Sequence, residues 1–326
     1  MGAQVNLQWI NKKTSDFSIH WPNLALEELR FGSLQKIPRP FGYSLPQGSS
    51  ALIDVRSQKF TSEGFADGDE NLLEAKAKSE AIERFVMSAY ALNTGIADTS
   101  NGWSCHYSLD QAIENALYEL IERDVALTAW ENGNSFLLIP EALWPVNIRE
   151  WALCHREKLE YSLPRICLSE DKNGLVVSAF LFNSDGNCVV GHSSKPNLKD
   201  SILAAFYECL RAGHSAIRFE YLNEVLGLHS GDHSITYSPG AHSVAYAYTV
   251  KFPDHLNFFQ ISESETLNKW ATHVKQQSER DLSNTEIIAF QVFDRVVVRI
   301  RDDSIRKIYW GLSKNEIINK HPHIVG

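Results

Sequence analysis

A five-residue pattern, Glu-x-x-Glu-Arg, occurs twice in the sequence. The two copies consist of Glu80, Glu83 and Arg84, and of Glu119, Glu122 and Arg123. Residues three and four apart share one face of a helix, where paired glutamates repel each other by a few tenths of a kcal/mol. Mg²⁺ would remove this conflict, because it prefers carboxylate oxygens and is usually held together with substrate phosphates. Arginine suits those phosphates, since a guanidinium binds them through two parallel hydrogen bonds. The motifs therefore favour a Mg-nucleotide site, and the alternative is two solvated helix faces with internal ion pairs.

Two helices must position these motifs. The first is predicted over residues 71–91, which are rich in Ala, Leu, Glu and Lys, and it places Lys76 one turn before Glu80 on the same side. The second is predicted from residue 108 to about residue 130, and begins with a capping box formed by Ser108 and Gln111. Its polar stripe contains Gln111, Asn115, Glu119, Glu122 and Arg123.

The rest of the chain alternates between strand and helix patterns. Strands are predicted at residues 51–55, 174–182, 188–191 and 292–300, a Gly/Asp-rich turn at 62–69 and a third helix at 198–218. No linker divides these segments. The pattern predicts one α+β domain at residues 51–326 with mixed or antiparallel sheets, preceded by an irregular segment at residues 1–50.

Composition narrows the class of protein. The chain has 326 residues and a formal net charge of −9, which counts against binding of nucleic acid along its surface. No apolar run is long enough to span a membrane, and the N-terminus lacks the apolar stretch of a signal peptide. The five cysteines are odd in number and widely spaced, so they fit neither a disulfide framework nor a zinc site. We expect a reduced, cytoplasmic protein.

With these motifs, the sequence resembles the YcaO family, whose members bind ATP and Mg²⁺ through helices that carry this glutamate-arginine pattern. The loop containing Ser100 and Asn101 leads into the second motif as in the family, and residues 64–84 resemble the first nucleotide-binding segment. Glu208 lies where the family often has another acid, and Arg299 lies on a strand like the one that reaches the phosphates. The resemblance extends from about residue 50 to residue 310 in the family's order.

The resemblance implies a role for each matching residue. Glu80, Glu83, Glu119 and Glu122 would hold Mg²⁺, and the implied nucleotide contacts are Lys76, Arg84, Ser100, Asn101, Gln111, Glu119, Arg123 and Arg299. Three positions depart from the family. Gln111 replaces an acid, Lys76 replaces a serine, and residues 62–64 replace a Gly-Lys-Gly segment. No general base is assigned.

The chemistry implied by the resemblance is activation of a peptide amide. A nucleophile adds to a backbone carbonyl, ATP phosphorylates the resulting oxygen, and loss of phosphate leaves an azoline, thioamide or amidine. Azoline-forming members often end in a proline-rich tail, whereas residues 319–326 contain one proline, which counts against a standard cyclodehydratase.

The expected substrate is a ribosomally made precursor peptide. A separate partner that binds the leader peptide or delivers sulfur is expected, because the chain has no extra N-terminal region large enough for a fused leader-binding domain. A homodimer is the usual expectation. Two alternatives stay open: modification of a full-length protein, by thioamidation or as an aid to methylthiolation, and a catalytically degenerate scaffold that binds the precursor or a nucleotide.

Overall fold

A computed structural model describes most of the chain between residues 19 and 305. The described ranges are 19–20, 29–39, 45–57, 61–95, 101–132, 136–155, 163–182, 188–226, 257–280, 285–302 and 305. The strands are β1 (Ile19–His20), β2 (Arg30–Phe31), β3 (Gln35–Ile37), β4 (Ser49–Arg56), β5 (Thr61–Gly68), β6 (Trp103–His106), β7 (Phe136–Leu138), β8 (Arg165–Asp171), β9 (Gly174–Phe182), β10 (Cys188–Ser193), β11 (Phe258–Gln260), β12 (Thr285–Val292) and β13 (Arg295–Asp302). The α-helices are α1 (Glu70–Thr94), α2 (Leu109–Asn132), α3 (Val146–His155), α4 (Leu198–Leu226) and α5 (Glu263–Ser278).

The described strands form three sheets. Sheet 1 has the order β1-β12-β13-β6, sheet 2 has the order β10-β9-β8-β7-β11, and sheet 3 has the order β2-β4-β3 with β5 also paired to β4. The β1–β12 and β11–β7 pairs are parallel, whereas neighbours such as β9 and β10 are antiparallel. The predicted α+β class with mixed and antiparallel sheets is therefore confirmed.

Three helices pack on these sheets and carry the predicted site. Helix α1 covers β4 and β5, α2 contacts β6 and β13 of sheet 1 as well as β8 and β9 of sheet 2, and α4 covers β9 and β10. Helix α2 thereby joins two sheets through its buried apolar side, which includes Ile113, Leu117 and Ile121. Its opposite, polar side is left for the cavity described below.

The turn expected at residues 62–69 is wrong, because residues 62–68 belong to strand β5 and Asp69 caps helix α1. The glycines and aspartates of this segment led to that expectation, but Gly64 is needed for packing. A Cβ at Gly64 would lie 2.1 Å from the Ala77 carbonyl oxygen and 2.2 Å from the Ala81 nitrogen, both in α1. Gly191 makes the same kind of approach to α4, with Ala205 O at 2.2 Å from its would-be Cβ. The two glycines let α1 and α4 lie directly on their strands.

Most of the other predicted elements are present, with shifted ends. Helices α1 and α2 match their predictions, and Ser108 Oγ accepts the hydrogen bond from Gln111 N at 3.3 Å that the capping box requires. Helix α4 continues to Leu226, beyond the expected end at 218. The strand expected at 292–300 is the second half of a hairpin, since β12 ends at Val292 and β13 begins at Arg295.

Some described residues of the first 50 form strands. Strands β2 and β3 lie within this segment and pair with β4, so that part of it belongs to sheet 3. Within the described part of the chain, no helix has both the length and the apolar character required to cross a bilayer.

Candidate functional site

A cavity of about 900 Å³ lies where the polar sides of α1, α2 and α4 meet the end of β5. Its acidic lining residues are Asp67, Asp69, Glu70, Glu80, Glu119, Glu122, Asp200 and Glu208. Its basic lining residues are Lys76, Arg123, Lys195 and Arg211. Acidic side chains outnumber basic ones, as expected of a cation site. The basic side chains of the same lining could contact an anion.

Helix α1 contributes Lys76 and Glu80 to the cavity lining. Glu80 forms an ion pair with Arg84 at 2.6 Å, and the Arg84 side chain is 52% exposed. The Lys76 ammonium lies against Gly68, since a Cβ on that glycine would be 3.2 Å from Lys76 Nζ. Helix α1 thus presents one carboxylate and one ammonium to the cavity.

Helix α2 contributes both glutamates and the arginine of its motif. The Arg123 guanidinium lies 3.9 Å from Glu119 Oε1 and 3.8 Å from Glu122 Oε1, and its side chain is only 12% exposed. The other oxygen of Glu122 accepts a hydrogen bond from Ser194 N at 3.0 Å. The second motif therefore places one cation, Arg123, between the buried carboxylate of Glu122 and the half-buried carboxylate of Glu119.

Helix α4 supplies Glu208, which the resemblance had singled out. One of its oxygens accepts a hydrogen bond from His192 N at 2.9 Å, and the other lies 3.9 Å from Arg211 Nη2. Other lining residues had no recognisable signal in the sequence. They come from β5 (Asp67), from the loop before α4 (Lys195) and from α4 itself (Asp200, Arg211).

Several predicted residues lie outside the cavity lining. Glu83 is turned towards β6, where its carboxylate accepts a hydrogen bond from Cys105 N. Gln111 is exposed at the start of α2 beside Ser108. Arg299 is buried in sheet 1 and donates to Tyr90 OH at 3.1 Å.

The loop before β6 is described only in part. Asn101 is buried just before β6, and it is not among the cavity residues. Ser100 and the terminal residues 319–326 lie outside the described residues. Arg84 is also absent from the cavity lining. All the nucleotide contacts and Mg²⁺ ligands expected from the sequence stay predictions.

Burial raises the pKa of three carboxyls in the motifs, namely Glu83, Glu119 and Glu122. Desolvation raises the pKa of Glu122 to about 8, with Glu208 and Glu119 adding to the rise and Arg123 opposing it. Desolvation likewise raises the pKa of Glu83 to about 8, and the nearby Glu80 adds to it. The pKa of Glu119 is also raised, first by desolvation. A bound cation would stabilise the ionised form of these carboxyls and would therefore oppose the rise in their pKa.

These shifts predict how the stability of the nucleotide-free protein depends on pH. A carboxyl whose pKa rises from 4.5 to about 8 on folding binds more protons in the folded state between those values, so stability falls as pH increases through that window. We expect the urea concentration at the unfolding midpoint to decrease as the pH is raised from about 5 to about 8, which is roughly the range between the unfolded and folded pKa values. The Glu83→Gln variant should show a shallower fall, and identical pH profiles for variant and wild type would contradict the expectation.

The cavity fits Mg²⁺ and a nucleotide in donor chemistry and in size. Among the described residues, no group of three or more His, Cys, Asp or Glu side chains is arranged to hold a metal ion by itself. Mg²⁺ does not require one, because it is usually bound by one or two carboxylates plus substrate phosphates. The volume of about 900 Å³ is within the usual range for small-molecule sites. Glu119 and Glu122 would hold the ion, and Arg123 with Lys76 would contact phosphate.

Comparison with solved structures shows the fold. A heterocyclase solved in complex with substrate and cofactor matches with a TM-score of 0.55 and 13% identity, covering 93% of this chain. The present chain spans only 52% of that protein. The E. coli microcin synthetase McbBCD complex with pro-MccB17 bound matches with a TM-score of 0.53 and 15% identity, covering 86% of this chain and 90% of the matched one.

Comparison with family models shows the family. No curated protein sequence matches the chain. The model described as "YcaO cyclodehydratase, ATP- and Mg²⁺-binding" matches residues 74–288, a span that begins in α1 and ends in β12. This span includes all three cavity helices and most of the chain. The chain therefore belongs to the YcaO family of ATP- and Mg²⁺-binding enzymes.

Proposed function

We propose that the protein activates a backbone amide of a ribosomally made precursor peptide, at the expense of ATP, to form an azoline, thioamide or amidine. ATP supplies the phosphoryl group that turns the amide oxygen into a leaving group. The remaining requirements are positioning and charge stabilisation, which dominate phosphoryl transfer. The chain's own side chains supply both.

The observation that carries the proposal is the convergence of the two sequence motifs on one cavity. Glu80, Glu119 and Glu122 line it together with Glu208, although they come from three helices. Lys76 and Arg123 lie in the same lining, so phosphate oxygens bound near the carboxylates would meet positive charge. Two solvated helix faces would not share a buried cavity.

The substrate class is proposed from the family and from the matched complexes. The microcin synthetase was solved with pro-MccB17 bound, and the heterocyclase with its substrate. A separate protein that binds the leader peptide or delivers sulfur is part of the proposal, as is a homodimer. The five cysteines are free thiols, which fits a reducing compartment, and we place the reaction in the cytoplasm.

The product decides between the alternatives and is read by mass spectrometry. The protein is incubated with ATP, Mg²⁺, the short peptide encoded beside it and any partner encoded there. Loss of one water from the peptide indicates an azoline, and the gain expected when sulfur replaces oxygen indicates a thioamide. Adding a full-length protein encoded nearby tests the second alternative. An unchanged peptide and no ATP consumption would overturn the proposal in favour of a scaffold that binds the precursor.

A matched control links any product to the cavity. The double variant Glu119→Gln, Glu122→Gln keeps the shape of both side chains and removes their charge. We expect it to leave the peptide unmodified while the wild type modifies it. Equal modification by both proteins would show that the cavity is not the reaction site.

A further inference from the structure

Two of the cavity glutamates are attached to the outer edge of one strand. Strand β10 is at the edge of sheet 2, with β9 on its inner side. His192 N donates to Glu208 at 2.9 Å, and Ser194 N, directly after the strand, donates to Glu122 at 3.0 Å. Residues two apart on a strand point their N–H groups in the same direction. The edge of β10 therefore fixes both carboxylates side by side.

A buried histidine of α5 fixes Ser194 in turn. His273 Nε2 lies 3.1 Å from Ser194 Oγ, and His273 Nδ1 accepts a hydrogen bond from Leu175 N at 3.0 Å. Because Nδ1 accepts, a neutral ring carries its proton on Nε2 and donates to Ser194 Oγ. Ser194 Oγ then donates to Leu175 O at 3.2 Å. Each hydrogen bond in this series therefore has a defined donor and a defined acceptor.

The surroundings hold the His273 ring in one place. His273 is 1% exposed, and a Cβ on Gly174 would lie 2.8 Å from two of its ring atoms. Gly174 also has a φ of 150°, a backbone conformation that favours glycine. Burial lowers the pKa of His273 to about 4, so the ring stays neutral near pH 7. The contact with Ser194 is consequently made by a buried, neutral ring with little space around it.

Helix α5 has a second polar connection to α2. Gln277, one turn after His273, donates to the Asn173 carbonyl oxygen at 2.8 Å. The Asn173 side-chain amide donates to the carboxylate of Asp124, which is 2% exposed. Asp124 follows Glu122 by two residues on α2. The same helix α5 is thus connected to α2 at two points that flank Arg123.

We propose that His273 is a positioning residue for Glu122, acting through Ser194, and that it sets the place where this carboxylate meets Mg²⁺. The metal part rests on the proposed function, whereas the contact from His273 to Ser194 does not. His273 contacts neither substrate nor metal in this proposal. Partners of this kind that orient a metal-binding carboxylate typically change metal affinity by about 10- to 100-fold when they are replaced.

The test compares three substitutions in the full chain. His273→Leu removes both ring nitrogens, and His273→Gln restores a donor near the position of Nε2. Thr266→Val is the matched control, because Thr266 is equally buried in α5 and its hydroxyl contacts only Ser262 O of its own helix turn among the contacts described. Ser194→Ala is a second route to the same question should His273→Leu fail to fold, since it removes the hydroxyl that His273 contacts.

Two measurements separate the proposal from a general loss of stability. Hydrogen exchange of the Ser194 amide, measured without nucleotide, should be roughly tenfold faster in His273→Leu and close to wild type in Thr266→Val. The Mg²⁺ dissociation constant, measured by calorimetry with a non-hydrolysable ATP analogue, should rise at least about tenfold in His273→Leu and recover in His273→Gln.

The outcomes are distinguishable. Unchanged exchange at Ser194 in a folded His273→Leu protein overturns the proposal, as does faster exchange with unchanged Mg²⁺ affinity. Equal weakening in Thr266→Val also overturns it, because the effect would then be structural. A wild-type protein that binds no Mg²⁺ with the analogue sinks the proposed function and the metal part of this inference, while the exchange measurement still decides whether His273 fixes Ser194.

Discussion

We expect the replacement of Glu122 or Glu119 by glutamine to lower the rate of the proposed ATP-dependent peptide modification by about a thousandfold. Both carboxylates line the cavity, and glutamine has the shape of glutamate but carries no charge. Charge stabilisation by a bound metal ion contributes several kcal/mol to a transition state, and each 1.36 kcal/mol corresponds to about tenfold in rate. The rate of peptide conversion, followed by mass spectrometry at saturating ATP, measures the loss.

Glu114 offers a matched control for these substitutions. It lies on the same helix α2, it is half-buried, and it is not part of the cavity lining. Glu114→Gln should therefore keep the rate within about threefold of wild type, since substitutions away from the site change stability by only a few tenths of a kcal/mol. A Glu122→Gln protein as active as Glu114→Gln would contradict the assignment of the cavity.

Replacing Arg123 by methionine destabilises the folded protein by about 3–5 kcal/mol, the typical result of removing one partner from a buried ion pair. Arg123 lies between Glu119 and Glu122, and the nearby Glu208 carboxylate also faces it. Methionine keeps an unbranched apolar side chain at this position but leaves these carboxylates without the charge of the guanidinium. Urea unfolding at about pH 9, where carboxyls with a pKa of about 8 are mostly ionised, measures the effect.

The first motif supplies the control for Arg123. Arg84 occupies the same place in its motif, yet it is 52% exposed and its pair with Glu80 faces solvent. Arg84→Met should cost at most about 1 kcal/mol, as exposed ion pairs do. The difference between the two variants should shrink at about pH 5, because protonation of the carboxyls removes the charges that Arg123 stabilises. Equal effects of the two substitutions would contradict the structure.

The sequence predicts the helices of the site better than the direction of each side chain. Regular spacing locates α1 and α2 and places Glu119 and Glu122 on one face. The same rule places Glu80 and Glu83 on one face of α1. In the structure Glu80 lines the cavity, whereas Glu83 lies to one side of it and contacts Cys105 N in sheet 1. Which of two adjacent faces meets the cavity is decided by how α1 packs on β5, and no local pattern encodes that.

The remaining cavity residues come from segments without a periodic signal. Asp67 lies on β5, whose glycines and aspartates are typical of a turn. Gly64 is present there because α1 packs too closely for a side chain. Lys195 lies in a loop, and Arg211 follows Glu208 on a helix that the sequence did predict. His273 is more than 100 residues from the motifs, and its proposed role depends on hydrogen bonds with Leu175 on β9 and Ser194 after β10. Such long-range contacts are visible only in the folded chain.

The outer edge of β10 has a consequence for what the site acids do in the folded protein. The edge of a sheet leaves N–H groups without a neighbouring strand to accept from them. Here the outward N–H groups of His192 and Ser194, which are 3% and 2% exposed, donate to Glu208 and Glu122. The carboxylates of the candidate site thus also satisfy buried donors of sheet 2, so that loss of these acids would leave unpaired N–H groups in the protein interior as well as removing charge for a metal ion.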